Sequence, residues 1–145
     1  NDLAQNGFSY FVAINSGTMI AQGAVALALF MKTKKVKTKE LSLAATISAF
    51  CGITEPAVYG ITLKSKRILL VSCICSGIGG ALAGLLKLKS FGFAGSFIGF
   101  SSFIDPSSGV DNNFYVFWIV SILTLVITFL ATYYIALKEN IVDNI

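Results

Sequence analysis

Taken as a pattern of apolar and polar positions, the chain is five apolar blocks separated by short charged stretches. Residues 8–31 (FSYFVAINSGTMIAQGAVALALFM), 68–86 and 114–137 are each long enough to cross a membrane. About 20 apolar residues in a helix span the ~30 Å of hydrocarbon. The other two blocks differ. Residues 41–63 begin as a good helix (LSLAATISAF) and are then interrupted by Gly52, Pro56 and Gly60. As a helix, the uninterrupted stretch would rise only about 16 Å, half of the hydrocarbon core. Residues 91–104 (FGFAGSFIGFSSFI) are too short to cross and end at Asp105-Pro106. Irregular backbone at membrane depth survives only where protein or a watery cavity surrounds it. The pattern therefore predicts an all-α, polytopic membrane protein with about three spanning helices plus two re-entrant, hairpin-like segments.

Side-chain chemistry refines these elements. Asn15, Ser16, Thr18 and Gln22 lie inside the first span and are expected to face protein or water rather than lipid. Gly77, Gly79, Gly80 and Gly84, with Ala81 and Ala83, give the second span a small-residue face suited to close helix packing. Tyr133 and Tyr134 stand near the end of the last span, where interfacial aromatics belong.

Composition agrees with the pattern. Of 145 residues, 55% are hydrophobic and 12% charged, with a mean hydropathy of +0.79. A soluble domain carries roughly twice that share of charge. The net charge of +4 comes from lysines between the apolar blocks and not from a basic face, so no nucleic-acid partner is expected and the lipid bilayer is. KTKKVKTKE after the first span holds five lysines, which the positive-inside rule makes cytoplasmic. With both broken blocks re-entrant, nine of the eleven basic residues fall on that side, and with both crossing, eight. Either arrangement leaves the C-terminus inside. A single re-entrant block would move it outside. No basic leader precedes the first apolar run, so no signal peptide is expected, and a chain opening at Asn1 reads as a piece of a longer one. Cys51, Cys73 and Cys75 offer neither a disulfide framework nor metal-ligand spacing, and no histidine accompanies them. No metal or other cofactor is expected.

The candidate chemistry lies in GITEPAVYG, residues 52–60. Among eighteen charged residues only Glu55 sits inside an apolar block. A charge at the bilayer centre costs at least about 2.5–3.5 kcal/mol on insertion scales, and one kept there is a functional candidate. Two plainer readings compete: the carboxylate caps a neighbouring half-helix through backbone N–H donors, or it is solvated at the interface. As a ligand-binding group, an ionised glutamate only accepts hydrogen bonds, so it complements hydroxyl-rich ligands such as sugars. Pro56 fixes φ and removes an N–H that would need a partner. Gly52 and Gly60 let the backbone turn and approach a ligand. Thr54 and Tyr59 can add hydroxyls. The candidate substrate-binding set is Gly52, Thr54, Glu55, Pro56 and Tyr59, a binding site with no catalytic group. Each broken block carries an acid followed by proline, and paired interrupted segments are the best sequence pointer to a transporter's binding site.

GITEPAVYGITL resembles the signature of enzyme IIC, the membrane component of the bacterial phosphoenolpyruvate-dependent sugar phosphotransferase system, in its glucose/glucoside superfamily. AQGAVALALF and KELSLAATISAF are similar to the β-glucoside-type members, whose relatives include sucrose and trehalose permeases. The resemblance runs over essentially the whole chain and covers about the C-terminal two-fifths of a IIC domain. It implies a mobile transport domain with two re-entrant hairpins and an elevator-like movement. It also implies phosphorylation of the sugar by a phosphocysteine on a cytoplasmic IIB domain, supplied through IIA and a phosphocarrier protein, in a full-length homodimer of the bacterial plasma membrane. The family's motif glutamate, a sugar ligand, corresponds to Glu55. A histidine that contributes in relatives has no counterpart here, and the phosphocysteine motif is absent, so none of the three cysteines is given that role. The resemblance makes this segment part of a transferase without a phosphorylated residue of its own. Two rivals stand beside it: an ion-coupled transporter or channel with Glu55 as the coupling carboxylate, and a packing module using the face around Gly80 and Gly84.

Overall fold

The structure, a computed structural model, describes residues 6–105 and 109–139. Pro106, expected to close the second broken segment, lies outside the described residues, as does the chain beyond Glu139. Every named element is helical: α1 Tyr10–Lys32, α2 Val36–Phe50, α3 Glu55–Gly60, α4 Lys66–Leu85 and α5 Asn112–Glu139, with 3-10 turns at Thr62–Lys64 and Ile98–Phe103. Three of them, α1, α4 and α5, are long and apolar enough to span a membrane, as the hydrophobic pattern predicts. The protein is membrane-embedded and all-α.

α1 is the central helix. In its most apolar stretch 67% of residues are buried, against 33% in α4 and 28% in α5. It starts at Ser9, whose hydroxyl accepts the Val12 N–H, and ends at Thr33 after Lys32, a basic residue favourable at a helix C-terminus. α1 and α4 touch backbone to backbone. A Cβ on Gly17 would stand 3.0 Å from the Gly79 carbonyl carbon and 3.1 Å from the Gly80 nitrogen. Of the predicted small-residue face, Gly79, Gly80 and Ala83 are buried in this contact, while Gly77, Ala81 and Gly84 stay exposed. α5 completes the bundle with a buried stripe of Ser121, Thr124, Thr128 and Thr132, spaced at helical intervals. Thr124 lies where a side chain on Gly79 would point.

The two broken segments enter from opposite ends. α2 has 15 residues, a rise of about 22 Å and too short to cross. It begins at Val36, earlier than the apolar pattern suggests, because lysine and glutamate are good helix formers and extend the helix beyond its apolar part. The chain then turns and returns through α3, so that Leu41 packs against Gly60, its Cδ1 3.4 Å from where a Cβ would sit. Start and finish of the segment are side by side, which makes it a hairpin. The second segment is rooted at the other end of the bundle. Ser90 pairs with Ser9 through backbone bonds of 2.7 and 3.1 Å, and the Phe91 N–H meets the Ser102 carbonyl at 2.7 Å. Asn113 holds this root with its side chain, donating to the Lys89 and Phe103 carbonyls and accepting the Lys89 N–H.

Two apolar clusters follow from this arrangement. One, with Val25, Leu29, Ala49, Ile61 and Ile68, fills the lysine-rich end, and the other, with Ala13, Leu88, Phe103 and Phe117, fills the opposite end. Between them the helices meet through small and hydroxyl-bearing residues, and there the tips of both hairpins lie.

Candidate functional site

The turn that carries the candidate site is written in local backbone chemistry. α2 ends at Phe50, and Gly52 takes φ +94°, the left-handed conformation that suits glycine at a helix C-terminus. The Ile53 N–H reaches back to the Ser48 carbonyl at 2.9 Å and the Gly52 N–H to the Ala49 carbonyl at 3.0 Å. This is the paired bonding of a Schellman motif, and it satisfies carbonyls the helix end would leave bare. The Ser48 hydroxyl adds a bond to the Ile53 carbonyl at 2.9 Å. Thr54 then opens α3, with Glu55 in its first turn and Pro56 beside it, where the missing N–H of proline costs nothing. Pro56 thus starts a helix rather than breaking one. Gly60 ends α3, and its role is the close seat it gives Leu41.

Within α3, Glu55 and Tyr59 are four residues apart and project from one exposed face, while Ala57 on the opposite face is buried. Thr54 and Pro56 are half-buried beside them. The five predicted residues therefore fall within one turn and one short helix. Glu55 is exposed on the surface of this chain, and among the described residues its carboxylate takes no hydrogen bond or ion pair. The helix-capping alternative requires backbone N–H donors on that carboxylate, and among the described residues it accepts none; the solvated alternative fits the same exposure. What the fold presents is an anion with both oxygens open, next to a phenol.

The helix behind that face is anchored from the core. The fully buried Thr62 hydroxyl lies 3.0 Å from both the Ala57 carbonyl and the Gln22 side-chain oxygen. Gln22 in turn donates to the Ser72 hydroxyl at 2.8 Å. A chain of polar groups from α1, α4 and the 3-10 turn thus ends on the backbone of α3, two residues from Glu55. Buried polar groups satisfied in this way define one geometry, since each would be costly to leave unpaired. Of the polar residues expected to face protein or water in the first span, Gln22 and Ser16 are buried, Thr18 is half-buried and Asn15 is exposed.

Both hairpin tips meet beside the middle of α1. The Phe50 ring covers Gly23, and it packs edge-on against Phe97 from the second segment with ring centroids 5.1 Å apart. Phe97 stacks on Trp118 of α5 at 5.8 Å. Gly95 lies against Met19 and Ser16 of α1. Ser96, wholly buried, donates to the Ala49 and Phe50 carbonyls at 3.0 and 2.9 Å. Neither Gly23 nor Ser96 stands out in the sequence. The small residues around Gly23 (AQGAVALA) are the one visible signal, and the second segment holds no hint that a serine there reaches 46 residues back. Cys73 and Cys75 are on α4 as expected, and Cys51 caps α2 with its side chain exposed. Among the described residues no group of His, Cys, Asp and Glu could hold a metal ion.

Comparison with known proteins bears on the same region. The family model described as "Phosphotransferase system, EIIC" matches residues 3–77, a stretch that takes in α1, the first hairpin and the start of α4. The chain is 37% identical over 116 residues to the PTS system beta-glucoside-specific EIIBCA component of Halalkalibacterium halodurans, covering 79% of this chain and 18% of that protein. It is 35% identical over 144 residues to the PTS system sucrose-specific EIIBCA component of Pediococcus pentosaceus, 99% of this chain and 21% of the relative. With the PTS system arbutin-, cellobiose-, and salicin-specific EIIBC component of Escherichia coli it shares 33% over 133 residues, 88% of this chain and 26% of the relative. The chain spans about a fifth to a quarter of the length of these relatives. No solved structure matches it significantly.

Proposed function

This chain belongs to the phosphotransferase system EIIC family, and from that premise we propose that residues 1–145 form the sugar-holding, C-terminal part of an EIIC membrane permease domain. The observation that carries the reading is the open carboxylate of Glu55 on a hairpin fixed from behind by Gln22 and Thr62. Sugar hydroxyls donate to that carboxylate in charge-assisted hydrogen bonds, about twice as strong as neutral ones. Tyr59, on the same face, and Thr54, at its edge, add hydroxyl contacts. Gly52 and Pro56 shape the turn so that the backbone itself is close to the ligand. The substrate is a β-glucoside or a related sugar such as sucrose, in keeping with the names of the relatives.

In this reading the chain positions the acceptor and does not carry the phosphoryl group. A IIB domain supplies it from a phosphocysteine recharged through IIA, partners that the EIIBCA and EIIBC names of the relatives support. The protein thus acts as the membrane component of a sugar phosphotransferase, in the bacterial plasma membrane, with the lysine-rich end and the C-terminus cytoplasmic. Parts of the full-length protein outside this chain cover the open Glu55 face and make the homodimer.

The test is Glu55→Gln in the full-length permease, with salicin and sucrose as probes. A hydrogen bond to a charged group is worth about 1.5–3 kcal/mol, so binding measured by calorimetry is expected to weaken by roughly 10- to 100-fold while membrane insertion is kept. Unchanged affinity would remove Glu55 from the site. Uptake supplied with phosphoenolpyruvate is also expected to survive an uncoupler, and its collapse would favour the ion-coupled alternative.

A further inference from the structure

The first hairpin carries the candidate sugar ligand, but its tip is held by the second. The last carbonyls of α2 have no N–H donor within their own helix, and of the last two the Ala49 carbonyl also accepts the Gly52 N–H. The Ser96 hydroxyl lies 3.0 Å from the Ala49 carbonyl and 2.9 Å from that of Phe50, sharing its one proton between them. Ser96 has φ +68°, a left-handed conformation that residues other than glycine, asparagine and aspartate seldom adopt, and it is wholly buried. Such a backbone at a non-glycine position persists only where its surroundings fix it. Here they do: Phe97 locks against Phe50, and Gly95 against Met19. The contact falls on the last two residues of α2, six and five positions ahead of Glu55.

We propose that Ser96 is a positioning residue for sugar binding, a latch by which the second hairpin sets the tip of the first and with it the direction of Glu55. The proposal rests on Glu55 being the sugar's ligand. It assigns the second segment a part that its own side chains do not suggest, since none of them is a sugar contact in this reading. With the two hairpins rooted at opposite ends of the bundle, the Ser96 hydroxyl also ties them at mid-depth, so neither tip moves without the other while the bond is made.

The test uses the full-length permease carrying Ser96→Gly, which keeps the left-handed backbone without strain and removes the CH2OH side chain with its hydroxyl. The Gly52 and Ile53 amides, bonded to the Ala49 and Ser48 carbonyls, report on the tip. Their hydrogen-exchange rate, read by peptide mass spectrometry, is expected to rise several-fold. KM for salicin or sucrose is expected to rise roughly five-fold, the worth of about one hydrogen bond, with kcat near the parent value. Ser96→Asn, which tolerates the backbone and restores an N–H donor, should recover part of both effects. An unchanged exchange rate overturns the latch. A faster exchange rate with unchanged KM overturns its link to sugar binding. Sugar affinity indifferent to Glu55→Gln would instead remove the site reading, and the exchange rate would still report the latch by itself.

Discussion

Gln22 and Ser72, fifty positions apart, are joined by a 2.8 Å hydrogen bond inside the bundle, and the other end of the same carboxamide accepts from Thr62. One side chain in the middle of the first span therefore ties α1 to α4 and to the turn that ends the first hairpin. Interhelical hydrogen bonds in membranes are worth on average about 0.6 kcal/mol, with a maximum near 1.7. Two of them do not make the bundle. They select which arrangement of it forms.

Replacing Gln22 by Leu keeps the bulk and deletes both bonds. The buried hydroxyls of Ser72 and Thr62 then lose a partner, which costs about 1–3 kcal/mol for each group left unsatisfied. Thr62 retains the Ala57 carbonyl, so the loss falls mainly on Ser72. The expected result is a lower thermal midpoint in detergent and weaker sugar binding, because α3 is no longer held against α1. A midpoint equal to that of the parent protein would show that the network adds no stability.

Gly23 and Phe50 make a second, apolar joint between α1 and the hairpin. A Cβ on Gly23 would collide with the edge of the Phe50 ring. Gly23→Ala is expected to cost about 1–3 kcal/mol, the usual range for overpacking, and to push the hairpin tip outward. Phe50→Leu should relieve the clash, so the double variant ought to be more stable than the sum of the two changes allows. A double-mutant cycle on thermal midpoints measures this coupling, and strict additivity would mean that the two positions do not touch.

At Gly52 the constraint is the backbone. Its φ of +94° disfavours any L side chain, by about 1–2 kcal/mol for alanine. Gly52→Ala is expected to unwind the Schellman turn and move Glu55, so affinity for salicin or sucrose should fall more than stability does. Asparagine visits left-handed backbone more readily, which places Gly52→Asn between the parent and Gly52→Ala. Equal affinities across the three proteins would separate this turn from the site.

What the sequence makes legible follows from the range of the interactions involved. The three spans are visible because burial in lipid demands a continuous apolar run. The break at Gly52 is visible because local backbone chemistry decides it, and the position of Glu55 follows from the same turn. Pro56 is misread as a breaker because its effect depends on whether it falls in the first turn of a new helix. The second segment is legible only as too short. Its docking through Ser96 and Phe97 depends on partners some 46 residues away, and no periodicity records such a contact. Gly17 and Gly23 are hidden for the same reason, since a glycine in an apolar span does not announce which helix approaches it.

Hairpin pairing also sets which loops share an end of the bundle. Charge alone separates the two arrangements poorly, nine basic residues against eight. The contact between Leu41 and Gly60 decides for a returning segment, because a crossing one would put those residues a membrane's thickness apart. Lys37 and Lys64 then lie at one end of the bundle, and Lys87 and Val110 at the other, all four exposed. Single cysteines at these positions, tested with a membrane-impermeant maleimide on intact cells and on inverted vesicles, are expected to label in two pairs. Positions 37 and 64 should react only in inverted vesicles, and 87 and 110 only in intact cells. If both broken segments crossed, position 64 would react from outside and 87 from inside, while 37 and 110 kept their sides. The 64 and 87 pair alone therefore distinguishes a hairpin from a span, without reference to transport activity.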